Sequence, residues 1–453
     1  MSAITFEMLT VGQKNAFEIV KKRVAEGLHT TIRGPAGTGK TTMMKFLLDE
    51  FTANGMQGMI LATPTHQAKK VLSRATGYRA VTIHSVLKIS PTTYEECNIF
   101  EQKEMPDMSK CRVIIVDEAS MVDRKLFEIL MNSIPEWCVV IAVGDPAQLR
   151  PVVPGSNEGH ISPFFTDPRF VQTELSEIKR SNDTIIRVAT DIRNGKWIYA
   201  HNDGVNQGVF EHTEFQTLMR KYLNEVGSIN TPGDMDKVSN VLLENRFLAF
   251  TNKSVEKMNQ IVRKYVYKTE DPYIVGEILV MQEPFMKSFK MNGKSFEEIV
   301  FNNGQFVRVL NVREMQFPVK CDELDAMLIK GYSIEVESHE EDDEDYAKAW
   351  LKVIPDENER FKLNGYLAKA AETYKEMKRE GKRPNWKSFW QVKRDFINVK
   401  ALPASTIHKS QGTSVDNVYL WTPCLKSTMV DPELAMQLLY VGTTRARFRV
   451  DVI

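Results

Sequence analysis

Gly34-Pro35-Ala36-Gly37-Thr38-Gly39-Lys40-Thr41-Thr42 closes a short run ending in Thr31-Ile32-Arg33 and precedes a helical-looking Met43 to Phe51. Farther on, the β-branched run Val113-Ile114-Ile115-Val116 ends in Asp117-Glu118. An amine, a hydroxyl and two carboxylates in this order are the functional groups of phosphate chemistry. Gly34, Gly37 and Gly39 let the backbone curl so that amide hydrogens point inward at phosphate oxygens, and the following helix start adds a favourable dipole. Lys40 can reach the β- and γ-phosphates of a nucleoside triphosphate, and the Thr41 hydroxyl can hold a magnesium ion. Asp117 can supply a further oxygen to that ion, directly or through water. Glu118 can orient and deprotonate the attacking water. A third strand-like run, Cys138 to Val143, leads into Gly144-Asp145-Pro146-Ala147-Gln148. It brings Gln148 towards the γ-phosphate or the water.

These groups need a scaffold that carries them to one edge. Short buried-strand patterns at Thr31, Met59 to Ala62, Val113 to Val116 and Cys138 to Val143 alternate with helical ones, including Gln67 to Arg74 and Thr184 to Arg193. That alternation argues for an open, doubly wound parallel sheet, whose ligands gather at the carboxyl ends of its strands. Thr10 reads as the N-cap of the first helix. Gln13, one element before the glycine-rich loop, is either a solvent-facing amide or a reader of an adenine edge. Thr63-Pro64-Thr65-His66 and Thr82-Ile83-His84-Ser85 stand at two further strand ends, where Thr, Pro and His suit contacts to a single nucleic-acid strand. His84 reads equally well as a packing histidine. Ser90 to Asp107 breaks the alternation and looks like an inserted hairpin, with Phe100 either an exposed aromatic tip or a buried anchor. The stretch from Gly155 to Phe170 looks like a connecting loop, followed by Arg180 ahead of the next helix.

Composition sets the outer limits. The 453 residues carry 42% hydrophobic and 26% charged side chains and no formal net charge, so any basic surface that meets nucleic acid must be local. Length predicts about three units of ordinary domain size. The five cysteines are an odd number without paired spacing, as expected of free thiols in a reducing compartment. No run approaches the length needed to cross a bilayer, and a cytoplasmic location is expected.

Taken in order, Gly34 to Thr42, Asp117-Glu118-Ala119-Ser120 and Gly144 to Leu149 resemble the motifs of superfamily 1 helicases. Phe247-Leu248-Ala249-Phe250-Thr251-Asn252, Ser405-Thr406-Ile407-His408-Lys409-Ser410-Gln411-Gly412 and Leu439 to Arg447 agree. Phe250 to Ser254 and Asn302-Asn303-Gly304-Gln305 are similar to the Dda-type helicases of T-even-like phages, in the RecD-like branch. The resemblance implies an α/β fold of two RecA-like P-loop NTPase domains with an inserted pin and an SH3-like barrel. The expected limits are 1–178 for the first domain, with the pin at about 86–108. The second takes 179–282 and 402–453, with the barrel and a helical extension at 283–401.

The resemblance also distributes roles. Gln13 and Gly412 would sit at the nucleotide, Arg180 and Arg445 would reach the γ-phosphate as arginine fingers, and ATP and Mg2+ would be the cofactors. Single-stranded DNA would touch Pro64, Thr65, His66, Thr82 and His84 on one domain and Asn252, Thr406 and His408 on the other, with Phe100 splitting the duplex. Cleft closure on ATP and reopening on hydrolysis would drive 5′-to-3′ stepping. Implied partners are single-stranded and forked duplex DNA, the phage single-stranded-DNA-binding protein and other replication or recombination proteins, with a monomer as the active unit. Thr413-Ser414 stand where many relatives carry a ribose-holding glutamate, which implies use of several NTPs or dNTPs.

Within the insertion, Ile299 to Val309 and Tyr332 to Val336 read as strands, and Glu340 to Asp345 as a solvated acidic loop. Trp386, Phe389 and Trp390 read first as a core-facing stripe on a helix and second as a stacking surface for single-stranded DNA. Two other functions compete with the helicase. One is a translocase that remodels DNA-bound proteins with little strand separation, the other a nucleotide-gated DNA-binding switch.

Overall fold

The apolar runs assemble into three main sheets and two hairpins. The computed structural model describes residues 5–94, 97–102, 104–151, 160–177, 183–231, 233–291, 294–339, 346–426 and 431–453. The first sheet is wholly parallel, in the order Ala80–Thr82, Met59–Thr63, Val113–Val116, Val139–Gly144, Thr30–Arg33, Val171–Glu174. Val113–Val116 and Val139–Gly144 are buried at every residue. A parallel strand covered on both faces has no polar side, hence the unbroken β-branched runs. Met43, Met44, Leu47, Leu48 and Phe51 of the helix Lys40–Ala53 cover one face with Ile32 and Ile141. Phe127, Leu130, Phe164 and Phe170 cover the other against Ile114, Val116 and Val140.

The second sheet has the order Ala404–Thr406, Asn245–Ala249, Val415–Leu420, Ala446–Val452, Gly208–Glu211, His201–Asn202, parallel but for the last pair. The two halves share packing: Leu149, which follows the first half's fourth strand run, is buried with Leu438, Leu439 and Tyr440 of the second.

The third sheet is antiparallel, in the order Lys348–Val353, Met327–Ser338, Phe306–Val319, Ile278–Met281, Val399–Ala401. Its two long strands run on to carry a helical pair, Glu357–Arg379 and Trp386–Asp395. There Phe389 and Trp390 are buried among Phe317, Tyr366 and Tyr374, with Trp386 packed alongside. The aromatic stripe therefore faces a core, and the stacking alternative does not apply to Phe389 and Trp390.

Two expectations need correcting. Ile299 to Val309 is not one strand. Gly304, at φ +82°, turns the chain between Lys294–Phe301, which belongs to a hairpin with Phe285–Met291, and Phe306–Val319 of the barrel sheet. Phe100 is not at a tip. The inserted hairpin pairs Ile89–Tyr94 with Cys97–Gln102, and Phe100 lies opposite Pro91, well down the ladder from the closing pair Tyr94 and Cys97. The alternation of polar and apolar residues around Phe100 is that of a strand, not of a turn. Glu340 to Asp345 lies outside the described residues. Among the described residues no helix is long and apolar enough to cross a membrane.

Candidate nucleotide cleft and nucleic-acid groove

The strand Val139–Gly144 lies between the strand that feeds the glycine-rich loop and the strand that feeds the acid pair. Register sets Arg33 level with Gly144 and Val116 level with Ala142. Gly34, Asp117 and Asp145 therefore leave the sheet along one edge. Gly34 donates its amide to the Gly144 carbonyl at 3.1 Å, and a β-carbon at Gly34 would stand 2.7 Å from the Leu175 carbonyl oxygen. Gly37 and Gly39 take φ of +86° and +74°, the left-handed region open to glycine. Lys40 lies over the loop, donating to the Gly34 and Pro35 carbonyls at 2.7 and 2.9 Å. Burial pushes its ammonium pKa down, against the pull of Asp145, Glu118 and Asp117. Thr41 and Thr42 open the helix that starts at Lys40.

Burial, and next the adjacent Glu118, raise the Asp117 carboxyl to about 7. Glu118 itself is held at φ 51°, ψ 41°, left-handed backbone that costs a non-glycine residue about 1–3 kcal/mol and clusters at functional sites. The Thr41 hydroxyl and the carboxylates of Asp117 and Glu118 are oxygen donors of the kind that a small divalent cation takes. Among the described residues no cluster of three or more His, Cys, Asp or Glu could cage a metal alone. Magnesium fits that pattern, since it keeps waters and substrate phosphates among its ligands.

Gln13 is buried, and its amide is already engaged. Its Nε2 donates to the Thr38 carbonyl at 2.9 Å, and its Oε1 accepts from the Thr10 amide at 2.8 Å within a capping box. A solvent-facing amide is thus excluded, and one N–H remains uncommitted. Gln148 is buried and accepts at Oε1 from Gln411 Nε2 at 3.2 Å, across the two halves. Arg445 is buried too, donating to the Val441 and Thr413 carbonyls at 3.1 and 2.9 Å and to the Thr444 hydroxyl at 3.1 Å. These three acceptors belong to the second half, and a guanidinium that turned to a phosphate would give them up. Arg180 lies outside the described residues, and so does the immediate run around it.

Behind the cleft, both halves and the barrel enclose a cavity of about 990 Å³. Thr65, His66, Asn252, Thr406 and His408 all line it, whereas Pro64, Thr82 and His84 do not. Its wall carries eight Lys or Arg (Lys70, Arg74, Arg246, Arg308, Lys400, Lys409, Arg445, Arg447) against Glu244 and Glu337. A neutral chain thus concentrates cations in one groove, the local footprint that a polyanion requires. Four threonines start helices at or just past strand ends. Thr65, Thr82, Thr251 and Thr406 accept from the amides of Ala68, Ser85, Ser254 and Lys409 as N-caps; the Thr251 hydroxyl also pairs with that of Ser254 at 2.9 Å. His408 lies 6.0 Å from the Phe250 ring, and burial lowers its pKa, as it does that of His84.

Three family models match along the chain. A family model described as an AAA domain matches residues 8–210, one described as the Dda helicase SH3 domain matches 270–401, and one described as a UvrD-like helicase C-terminal domain matches 402–453. The chain is 50% identical over 452 residues to the ATP-dependent DNA helicase dda of Enterobacteria phage T4, covering 99% of each. The chain belongs to the Dda family of helicases. It also shares 32% identity over 124 residues with the RecD2 DNA helicase of Deinococcus radiodurans, 27% of this chain and 16% of that one. A solved structure of Pif1 helicases on forked double-stranded DNA covers 98% of this chain with 92% of its own, at a TM-score of 0.50 and 17% identity. That likeness is one of fold.

Several groups in this Dda-family site escaped sequence reasoning. Gln67 donates to the Gly304 carbonyl, joining the first half to the barrel turn Asn302 to Gln305. Lys409 reaches Gln282, and Lys400 donates to Asn252 at 2.8 Å. Tyr440 stands between the loop and Asp145. The tetrapeptide Asn302-Asn303-Gly304-Gln305 was the available signal for the first, through its glycine turn. The others depend on long-range approach, which no local pattern encodes.

Proposed function

We infer that this Dda-family chain uses ATP and magnesium to move 5′-to-3′ along single-stranded DNA and to unwind duplex. The observation that carries this is the joining of two sites. A phosphate loop and acid pair at one sheet edge sit back to back with a basic groove that spans both halves, linked by Gln148 and Gln411. A phosphotransferase has no use for the groove, and a simple DNA-binding switch has no use for Glu118 beside Gln148.

In this reading Gln13 holds the loop and offers its remaining N–H to adenine, Lys40 and the loop amides bind the phosphates, and Thr41 and Asp117 would hold magnesium, which supplies charge neutralisation. Glu118 activates water and Gln148 orients it. Arg445 leaves its carbonyl partners to meet charge developing on the γ-phosphoryl group, and Arg180 is proposed as a second finger from its place in the sequence. Single-stranded DNA lies in the groove against Thr65, His66, Asn252, Thr406, His408 and the cations. Pro64, Thr82, His84 and the hairpin bearing Phe100 extend the path towards the junction. The domain limits stated from the sequence belong to the same proposal, as do an active monomer, replication or recombination proteins as partners and a cytoplasmic location. The 5′-to-3′ direction follows from the RecD-like character of the motifs.

Strand separation on duplexes bearing only a 5′ or only a 3′ single-stranded tail, with ATP and magnesium, tests the proposal. Unwinding confined to the 5′-tailed substrate is expected. Preference for the 3′ tail would overturn the direction. DNA-stimulated hydrolysis with no unwinding of either would replace the helicase by a translocase that remodels DNA-bound proteins.

A further inference from the structure

Tyr440, on the second half's helix Pro432–Thr444, is buried to 2% exposure, and its hydroxyl joins two groups of the first half. It accepts from the Ala36 amide of the phosphate loop at 2.9 Å and donates to the Asp145 carboxylate at 2.6 Å. Asp145 is wholly buried and further accepts from the Ala147 amide at 3.1 Å and from Arg193 at 3.2 Å. Its own carbonyl accepts from the Gln148 amide at 3.1 Å. Gln148 in turn meets Gln411, which follows the helix Ile407–Ser410 on the groove wall.

Two features of the loop bear on what this hydroxyl does. An amide in a glycine-rich loop is a donor for phosphate oxygen, and here one such donor is satisfied by an oxygen delivered from the opposite half. Lys40, the loop's other anion ligand, is likewise folded onto protein carbonyls. These two donors, the Ala36 amide and the Lys40 ammonium, are thus occupied by acceptors that a triphosphate would replace. Only the one on Ala36 belongs to a different half of the molecule, so only its replacement is felt there.

We propose that Tyr440 is a positioning residue, a latch across the cleft whose hydroxyl stands in for a phosphate oxygen and is displaced when nucleotide binds. Displacement leaves Tyr440 bound to Asp145 alone. The adjustment passes through the turn Asp145 to Gln148 to Gln411 and so alters the grip on single-stranded DNA. The coupling is reciprocal, as linkage requires: DNA in the groove shifts the same turn and loosens the latch. This inference rests on the helicase reading and names the residue by which its two sites communicate.

The test is Tyr440→Phe, which keeps the buried ring and removes the oxygen. Two quantities are read. One is the dissociation constant of a fluorescent ADP derivative with magnesium and without DNA. The other is the ratio of oligo-dT affinities, by fluorescence anisotropy, with and without a non-hydrolysable ATP analogue. Removing the competing acceptor should tighten ADP binding about three- to tenfold, the worth of one neutral hydrogen bond. The oligo-dT ratio should collapse to within about twofold of unity. The proposal stands if both quantities move so, and falls if either keeps its wild-type value or if ADP binding weakens. Gln411→Met cuts the relay at its other end and should also abolish the oligo-dT ratio; a wild-type ratio there overturns the relay even if Tyr440→Phe proves too unstable to assay. Wild-type protein that shows no effect of the analogue on DNA affinity would instead sink the helicase reading itself, so the two failures are distinct.

Discussion

The nucleotide cleft and the DNA groove occupy the same edge of parallel sheets, yet they treat the helix starts there in opposite ways. At the cleft, the helix Lys40–Ala53 begins at Gly39 with no side-chain cap. Its first amides are left for a ligand, the arrangement that suits a compact phosphate. At the groove, the helices that begin after Thr65, Thr251 and Thr406 are already capped by those hydroxyls. Backbone donors there are satisfied in advance, and binding falls to side chains: amides, hydroxyls, imidazoles and eight cations. A nucleotide is thereby gripped by backbone geometry that one substitution can abolish. In the proposed reading, DNA is held by many weak, interchangeable contacts whose sum depends on salt.

The largest effect should come from removing the ammonium that lies over the glycine-rich loop. Lys40→Ala should lower DNA-stimulated ATP hydrolysis by about three orders of magnitude or more, in line with the weight of electrostatic stabilisation in phosphoryl transfer. Its affinity for single-stranded DNA without nucleotide should stay within a few-fold of wild type. Substantial residual hydrolysis would mean that the loop is not the phosphate site. Next in size, Glu118→Gln should reduce turnover by about two to three orders of magnitude while ADP still binds, the signature of losing a base and not a binding group. If nucleotide affinity fell in proportion, Glu118 would be holding the ligand instead.

The groove should respond in smaller, salt-dependent steps. Lys400→Ala should weaken oligo-dT binding and make the logarithmic salt slope shallower by about 0.7, one phosphate contact's worth on a single strand. An unchanged slope would remove Lys400 from the phosphate-binding set and leave it as the partner of Asn252.

The same contrast explains what could be read from the chain beforehand. Gly34 to Thr42 and Asp117-Glu118 are contiguous, because a loop and a strand end each complete their task within a few residues; both were legible, together with the alternating sheet that carries them. The groove is assembled from Thr65, Asn252, Lys400 and Arg308, drawn from both halves and the barrel, and a neutral total charge concealed it. The capping role of the four threonines was missed, although Thr followed by a short helical stretch is its signal. Phe100 stayed open between a tip and an anchor because a lone aromatic among polar residues marks a strand and a turn alike until the register is known. The break at Gly304 was legible in Asn302-Asn303-Gly304-Gln305, a polar turn signal between two apolar runs, and was passed over when the runs on either side were joined into one strand.

The smallest effect concerns protonation in the groove. Burial holds His408 below the usual imidazole range, so below about pH 6.5 the unfolded chain binds a proton at this position that the folded chain resists. Its contribution to stability is therefore present at neutral pH and lost as the pH falls. Phosphate beside the ring reverses the sign: it favours the charged imidazolium, so binding single-stranded DNA takes up a proton, and affinity should rise on acidification. His408→Gln, which keeps a polar side chain against Phe250, should flatten both dependences. Between pH 8 and 6 the wild type should lose more of its melting midpoint than the variant, while gaining about twofold more in oligo-dT affinity, a shift of some tenths of a pKa unit. Parallel curves for the two proteins would place His408 away from phosphate, on the packed side of the groove with Phe250, and confine DNA recognition to the lysines, arginines and threonine hydroxyls.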